Sequence, residues 1–252
     1  NSDNESDGSS WSYLSSDGSC IFSETYLKIQ NFPIQVLAME KMDETLTNLL
    51  KTNLKLADWK TILFELCFGL SVAQKHFGFI HNDLHSDNIM FKPCQLDYKY
   101  YEIENTFYRV PTYNRETKVI DFARGIIKIG KKTYFSDVFK NEGDAGGQYQ
   151  YLNKQKHKKY NFHFDLARLA TTLHEFTYQE SELEPINQIL REWATDKDGE
   201  SFLEMEDDFS VYVKIAENAR HALPRDQLNR DIFDEFKISR SNIPENTHIY
   251  IL

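Results

Sequence analysis

His81-Asn82-Asp83-Leu84-His85-Ser86-Asp87-Asn88 is the stretch that decides the fold of this 252-residue chain, read together with Ile120-Asp121-Phe122 downstream. The pattern His-x-Asp-x-x-x-x-Asn occurs once. Chance alone produces it in about one chain of this length in a hundred, and its surroundings lower that chance further. Upstream, Trp59, Ile62, Leu63, Leu66, Cys67, Leu70, Ala73 and Phe77 recur at helical spacing, with Asp58 as the expected N-cap and Gly78 as the stop. Phe79-Ile80 leads into the motif as a two-residue strand. Ile89-Met90-Phe91 reads as a strand directly after it, and Lys118-Val119-Ile120 as another that ends at Asp121. Asn88 and Asp121 therefore fall at the ends of adjacent strands.

Outward from this centre the chain is uneven. Residues 1–20 are rich in Ser, Asp, Gly and Asn, and Ser-Asp-Gly-Ser occurs twice, at 6–9 and 16–19. Residues 1–25 are expected to be a low-complexity, disordered tail or insert, because such a composition buries little apolar surface. Residues 32–39 read as a strand with Pro33 at its start, where a missing donor is tolerated, and 45–54 as a short helix. The Tyr-rich residues 99–115 read as an extended hairpin turning near Glu104-Asn105. Residues 126–162 look irregular, and helical patterns resume at 165–176, 182–193, 209–222 and 225–236. The layout is α+β, a few short strands followed by a mostly helical domain.

As a set, these pieces resemble the protein kinase superfamily. His81 to Asn88 is similar to the family's catalytic loop, and Asp121-Phe122-Ala123 to its magnesium-binding motif. Val36-Leu37-Ala38-Met39-Glu40-Lys41-Met42 is similar to the fifth strand running into the hinge. Phe164-Asp165-Leu166-Ala167-Arg168-Leu169 is similar to the start of the long buried helix whose Asp supports the loop. The resemblance implies a protein-kinase-like fold. In it, 26–42 are the last small-lobe strands and hinge, 43–252 the helical large lobe, 99–115 a hairpin insertion and 121–164 the activation segment. It also implies ATP and Mg²⁺ as cofactors, and transfer of the γ-phosphoryl group to a Ser or Thr hydroxyl of a protein substrate.

By the same resemblance, Asp83 would accept or orient the proton of the attacking hydroxyl. Asn88 and Asp121 would ligate Mg²⁺, which prefers hard oxygen donors. His85 stands near the γ-phosphate, where many members carry Lys. Main-chain groups of Glu40 and Met42 would hold adenine, with Met39 as gatekeeper, Met90 beneath the base and Asp43 or Glu44 toward the ribose. His81, Phe122 and Asp165 would be structural supports, the first two packing together and the third a buried hydrogen-bond anchor.

The departures keep alternatives open. His85 is similar to haspin-like kinases and to aminoglycoside and choline kinases, so a small-molecule acceptor stands beside a protein one. Ala123 replaces the usual Gly and removes freedom for Asp121-Phe122 to flip. No Ala-Pro-Glu follows, and Asn82 replaces the Arg that commonly pairs with a phosphate on the activation segment. No glycine-rich loop and no strand lysine with a helix glutamate precede Val36. The small lobe is expected from an upstream segment or a partner chain, and a pseudokinase scaffold that binds partners without transfer is the second alternative. The Tyr-rich insertion and altered loop resemble kinases encoded by large DNA viruses. A zinc peptidase reading of His81 and His85 needs both on one helix face and Glu after the first. Asn82 stands there, and Gly78 ends the helix beforehand.

Composition narrows the partners. A net charge of −10 argues against general affinity for nucleic acid or anionic lipid. The basic run 154–159 reads as a solvated loop face, with docking of an acidic partner as the alternative. Three cysteines, Cys20, Cys67 and Cys94, are too few and too scattered for a disulfide framework or zinc knuckle. They point to a reducing interior: the cytoplasm or nucleus of a host, or a virion. No apolar run reaches membrane-spanning length, since Glu65 interrupts 62–70.

Overall fold

The structure, a computed structural model, describes residues 31, 33–34, 36–52, 54–149, 160–205 and 209–252. The tail 1–25 and the basic run 154–159 lie outside the described residues. Residues 1–40 and 41–252 form two compact units. In the first, the strand expected at 32–39 is not seen: residues 33–34 and 36–40 join no ladder. Ile34, Val36, Leu37 and Met39 are exposed there. An apolar pattern sets strand propensity, but a strand exists only where a neighbour takes up its backbone groups.

The second unit opens with β1 (Glu44–Thr45) and α1 (Leu46–Leu50). Thr45 Oγ1 accepts the Asn48 N–H at 3.2 Å and caps this helix, which is shorter than the expected 45–54. α2 (Leu56–Phe77) starts ahead of Asp58. Asp58 is therefore not the N-cap; it sits in the first turn and reaches back to accept the Lys55 N–H at 3.2 Å. Gly78, at φ 52°, ends the helix, its N–H returning to Gln74 O at 2.9 Å.

Then follow β2 (Ile89–Pro93), β3 (Tyr98–Ile103), β4 (Thr106–Pro111) and β5 (Arg115–Val119). β1, β2 and β5 make an antiparallel sheet with β2 in the middle, pairing Met90 with Thr45 on one side and Lys118 on the other. β3 and β4 form an antiparallel hairpin whose turn residues Glu104 and Asn105 have φ 48° and 65°. Positive φ at both central residues is the turn type that matches strand twist. The hairpin ends at Pro111, and Arg115, placed at its end by the sequence pattern, instead opens β5. The interval expected to be irregular contains a small hairpin of β6 (Ile127–Ile129) and β7 (Lys132–Tyr134).

α3 (Phe164–Leu173), α4 (Glu184–Trp193), α5 (Phe209–Asn218) and α6 (Pro224–Gln227) complete the helices. The helix expected over 225–236 breaks after α6 into a 3₁₀ stretch, Asp231–Phe236. The break turns Phe233 and Phe236 onto Phe64 of α2, with ring centroids 5.4 and 5.7 Å away. Tertiary packing overrides helical periodicity here. β8 (Lys237–Ile238) and β9 (Ile249–Ile251) extend the β3–β4 hairpin to a four-stranded sheet, β9 lying parallel to β3.

Glu65, the charge that interrupts the apolar face of α2, accepts from Lys99 Nζ at 2.9 Å, Tyr101 OH at 3.1 Å and the Thr117 N–H at 3.3 Å. It therefore docks β3 and β5 onto the helix. Among the described residues no helix is long and apolar enough to cross a membrane. The unit is mixed α/β, with mostly antiparallel strand pairs and helices compatible with an α+β arrangement.

Candidate functional site

Asp165 lies in the first turn of α3 and is fully buried. Its two oxygens accept the backbone N–H groups of His81 and Asn82, each at 2.9 Å. Burial pushes its carboxyl above the ordinary carboxylate range, while the nearby His81 and the two N–H donors pull it back. The loop 81–88 is thus pinned from beneath by a residue 84 positions downstream.

His81 is also fully buried. Its Nε2 lies 2.8 Å from Ile120 O, and its Nδ1 lies 3.3 Å from the Asp83 N–H. A proton on Nε2 satisfies both contacts. Both ring nitrogens are then spent on the backbone, which removes His81 as a zinc ligand. The ring sits 5.6 Å from that of Phe122, which packs 5.7 Å from Phe79. His81, Phe122 and Asp165 therefore come together as one assembly.

Asn82 takes φ 64°, which asparagine tolerates, with its side chain buried. Its Nδ2 donates to Arg124 O at 3.0 Å, and its Oδ1 accepts from Gln148 Nε2 at 3.4 Å and from the Tyr149 hydroxyl. Neutral hydrogen bonds tether the chain on both sides of β6 and β7 to this residue.

The short 3₁₀ turn Ser86–Asn88 follows, closed by the Asn88 N–H on His85 O at 3.0 Å. Asn88 Nδ2 lies 2.9 Å from Asp83 O, to which it donates, and 3.0 Å from His85 Nε2. The amide nitrogen is thus engaged by the protein, and Oδ1 is the end left to ligate. The Ile120 N–H donates to Asn88 O at 3.0 Å, bringing Asp121 beside Asn88. Asp121 is exposed at φ 59°, and its Oδ1 accepts the Ala123 N–H at 3.2 Å. Non-glycine residues held at positive φ cluster at working sites, and Asn82 and Asp121 flank this one. The oxygens of Asn88 and Asp121 are of the chemical kind Mg²⁺ prefers.

Asp83 is half-buried. Its Oδ1 accepts from the Tyr212 hydroxyl at 2.9 Å and from Arg124 Nη1 at 3.3 Å. Neither donor was singled out by sequence reasoning. Arg124, a cation three residues past Asp121, could have been noticed from its spacing; Tyr212, 129 residues from Asp83, carries no such signal. Asp83, His85, Asp87, Arg124, Arg168 and Tyr212 line part of a cleft of about 700 Å³.

The expected nucleotide-binding residues divide between the units. Met42 and Asp43 precede β1, and the Asp43 N–H donates to Phe91 O at 2.9 Å. This ties them to β2, where Met90 faces away from the buried Ile89 and Phe91 and is partly exposed. Met39 and Glu40 belong to the first unit.

No protein-family model matches the chain. It is 28% identical over 116 residues to the serine/threonine-protein kinase haspin of Mus musculus, covering 43% of this chain and 15% of that protein. It is 30% identical over 132 residues to uncharacterized protein 098R of Invertebrate iridescent virus 6, covering 49% and 21%. A probable kinase, 098L of Invertebrate iridescent virus 3, is 29% identical over 89 residues, covering 35% and 17%. The chain spans only 15 to 21% of the lengths of these relatives. With the mixed α/β fold, the similarities support a kinase-like protein.

Proposed function

We propose that this chain is the large lobe of a Ser/Thr-type protein kinase that transfers the γ-phosphoryl group of Mg–ATP to a protein hydroxyl. The observation that carries this reading is the Asn88 clamp. Its side-chain amide donates to the Asp83 carbonyl, and its own carbonyl accepts the N–H of Ile120, the residue before Asp121. A proton acceptor and two oxygen ligands thus belong to one rigid assembly anchored on Asp165.

Asp83 accepts the proton of the attacking hydroxyl as its oxygen bonds to the γ-phosphorus. The bond from that phosphorus to the bridging oxygen breaks, and its electron pair leaves with ADP. Asn88 and Asp121 would hold Mg²⁺ through their side-chain oxygens, and the ion would supply charge neutralisation to the phosphate oxygens. His85, against Asn88 and lining the same cleft, stands beside the transferred group. Met90 would lie beneath adenine, with the Met42 main chain and Asp43 beside it. An upstream segment or a partner chain supplies the small lobe that roofs it. The acidic balance of the chain supports a protein substrate over nucleic acid, and the free thiols Cys67 and Cys94 support an intracellular setting.

Loss of a metal ligand removes several kcal/mol of charge stabilisation in the transition state. In the full-length protein at saturating Mg²⁺, Asp121→Asn is therefore expected to abolish nearly all transfer. Transfer at the wild-type rate in that variant would remove Asp121 from the site.

A further inference from the structure

Tyr212 stands on α5, a helix that supplies no part of the loop or metal-ligand sequence patterns, yet its hydroxyl reaches Asp83 Oδ1 at 2.9 Å. Arg124 Nη1 reaches the same oxygen at 3.3 Å. None of the described hydrogen bonds ends on Oδ2. We infer that Tyr212 and Arg124 are positioning residues that fix the Asp83 carboxylate through Oδ1 and so leave Oδ2 to receive the acceptor's proton. The inference rests on the kinase reading above and adds two residues to it.

The geometry around the phenol explains why it can hold a carboxylate still. Its ring is stacked on Phe209, with centroids 5.7 Å apart and planes 14° from parallel, and lies 6.1 Å from Phe164. Two guanidinium groups cover it, with Cζ of Arg168 4.7 Å and Cζ of Arg124 5.3 Å from the ring centroid. Phe164 and Arg168 belong to α3, the helix whose Asp165 pins the 81–88 loop. The carboxylate and its holder are therefore referenced to one helix. Burial and the neighbouring Asp83 raise the Tyr212 phenol above its ordinary range, against the pull of Arg168, so the hydroxyl keeps its proton at neutral pH and donates it. Both donors converge on one oxygen, which restricts rotation about the Cβ–Cγ bond. Proton acceptance depends on such orientation, and small misplacements of a reacting group cost large factors in rate.

The test is a double-mutant cycle in the full-length protein, read as phosphate transfer from Mg–ATP to a generic protein acceptor. Tyr212→Phe keeps the ring and its stacking and deletes one bond. It is expected to lower kcat about ten- to a hundredfold while leaving KM for Mg–ATP and the unfolding midpoint unchanged. Arg124→Gln is expected to lower kcat in the same way. In an Asp83→Asn background, whose residual transfer no longer uses the carboxylate, Tyr212→Phe is expected to add nothing. An unchanged kcat in Tyr212→Phe would overturn the inference while leaving the kinase reading intact. A fall of equal size in the Asp83→Asn background would also overturn it, by showing that the hydroxyl acts on the fold and not through Asp83. A wild-type protein without transfer would sink the kinase reading and the inference together.

Discussion

At position 82 a small amide occupies a place where a cation would ask for a phosphate. Asn82 instead closes a neutral network with Arg124 O, Gln148 and Tyr149, entirely within the chain. A phosphate that orders a loop commonly pairs with an arginine, and Arg124, Gln148 and Tyr149 are already tied to Asn82 without a phosphate. Phosphatase treatment of active protein is expected to leave the transfer rate unchanged. A large, reversible loss of rate that maps to a phosphorylated residue between Asp121 and Asp165 would contradict this. At this scale the sequence was informative where a residue's partners are dictated by a short motif. His81, Asn88 and Asp121 meet through bonds of the loop and its two flanking strands, and spacing alone suggests as much. Arg124 and Tyr212 converge on Asp83 through side-chain reach across the fold, which no local pattern encodes.

Among the elements, α2 carries the sharpest conflict between local pattern and packing. Its apolar stripe is broken by Glu65, which lies almost out of reach of solvent with Lys99, their side chains 7% and 8% exposed. Tyr101 and the Thr117 N–H satisfy the remaining hydrogen-bonding capacity of the carboxylate. Removing one partner of such a pair strands the other charge. Glu65→Ala is expected to destabilise the protein by about 3–5 kcal/mol, measured as a shift in the denaturant midpoint. A double variant, Glu65→Leu with Lys99→Met, is expected to recover most of that loss. Wild-type stability in Glu65→Ala would mean that β3 and β5 are held to α2 by apolar contacts alone. The same element scale shows why some boundaries were legible and others were not. Gly78 and the Glu104-Asn105 turn obey local backbone rules and stand where their chemistry puts them. The 3₁₀ stretch Asp231–Phe236 answers to Phe64 on a distant helix, and residues 33–34 and 36–39 join no ladder among the described residues.

For the whole molecule, the described residues of 41–252 place Asp83 on a cleft of about 700 Å³, set Asn88 and Asp121 just outside the paired strands β2 and β5, and leave Met90 partly exposed. Under the proposed reading, transfer would also call for a small lobe to cover the phosphates and exclude water. The α+β character and the order of the pieces were readable from the chain because each piece is short and locally patterned. The way α3 and α5 gather around Asp83 was not, since it depends on packing between elements far apart in the chain. Phosphate transfer from Mg–ATP by the full-length protein, compared between wild type and Asp83→Ala with nucleotide affinity followed by calorimetry, tests the central claim most directly. The expected result is Mg²⁺-dependent transfer that falls about 10²–10⁴-fold in the variant, with nucleotide affinity unchanged. Wild-type protein that binds Mg–ATP but transfers nothing, or a variant that transfers at the wild-type rate, would contradict it.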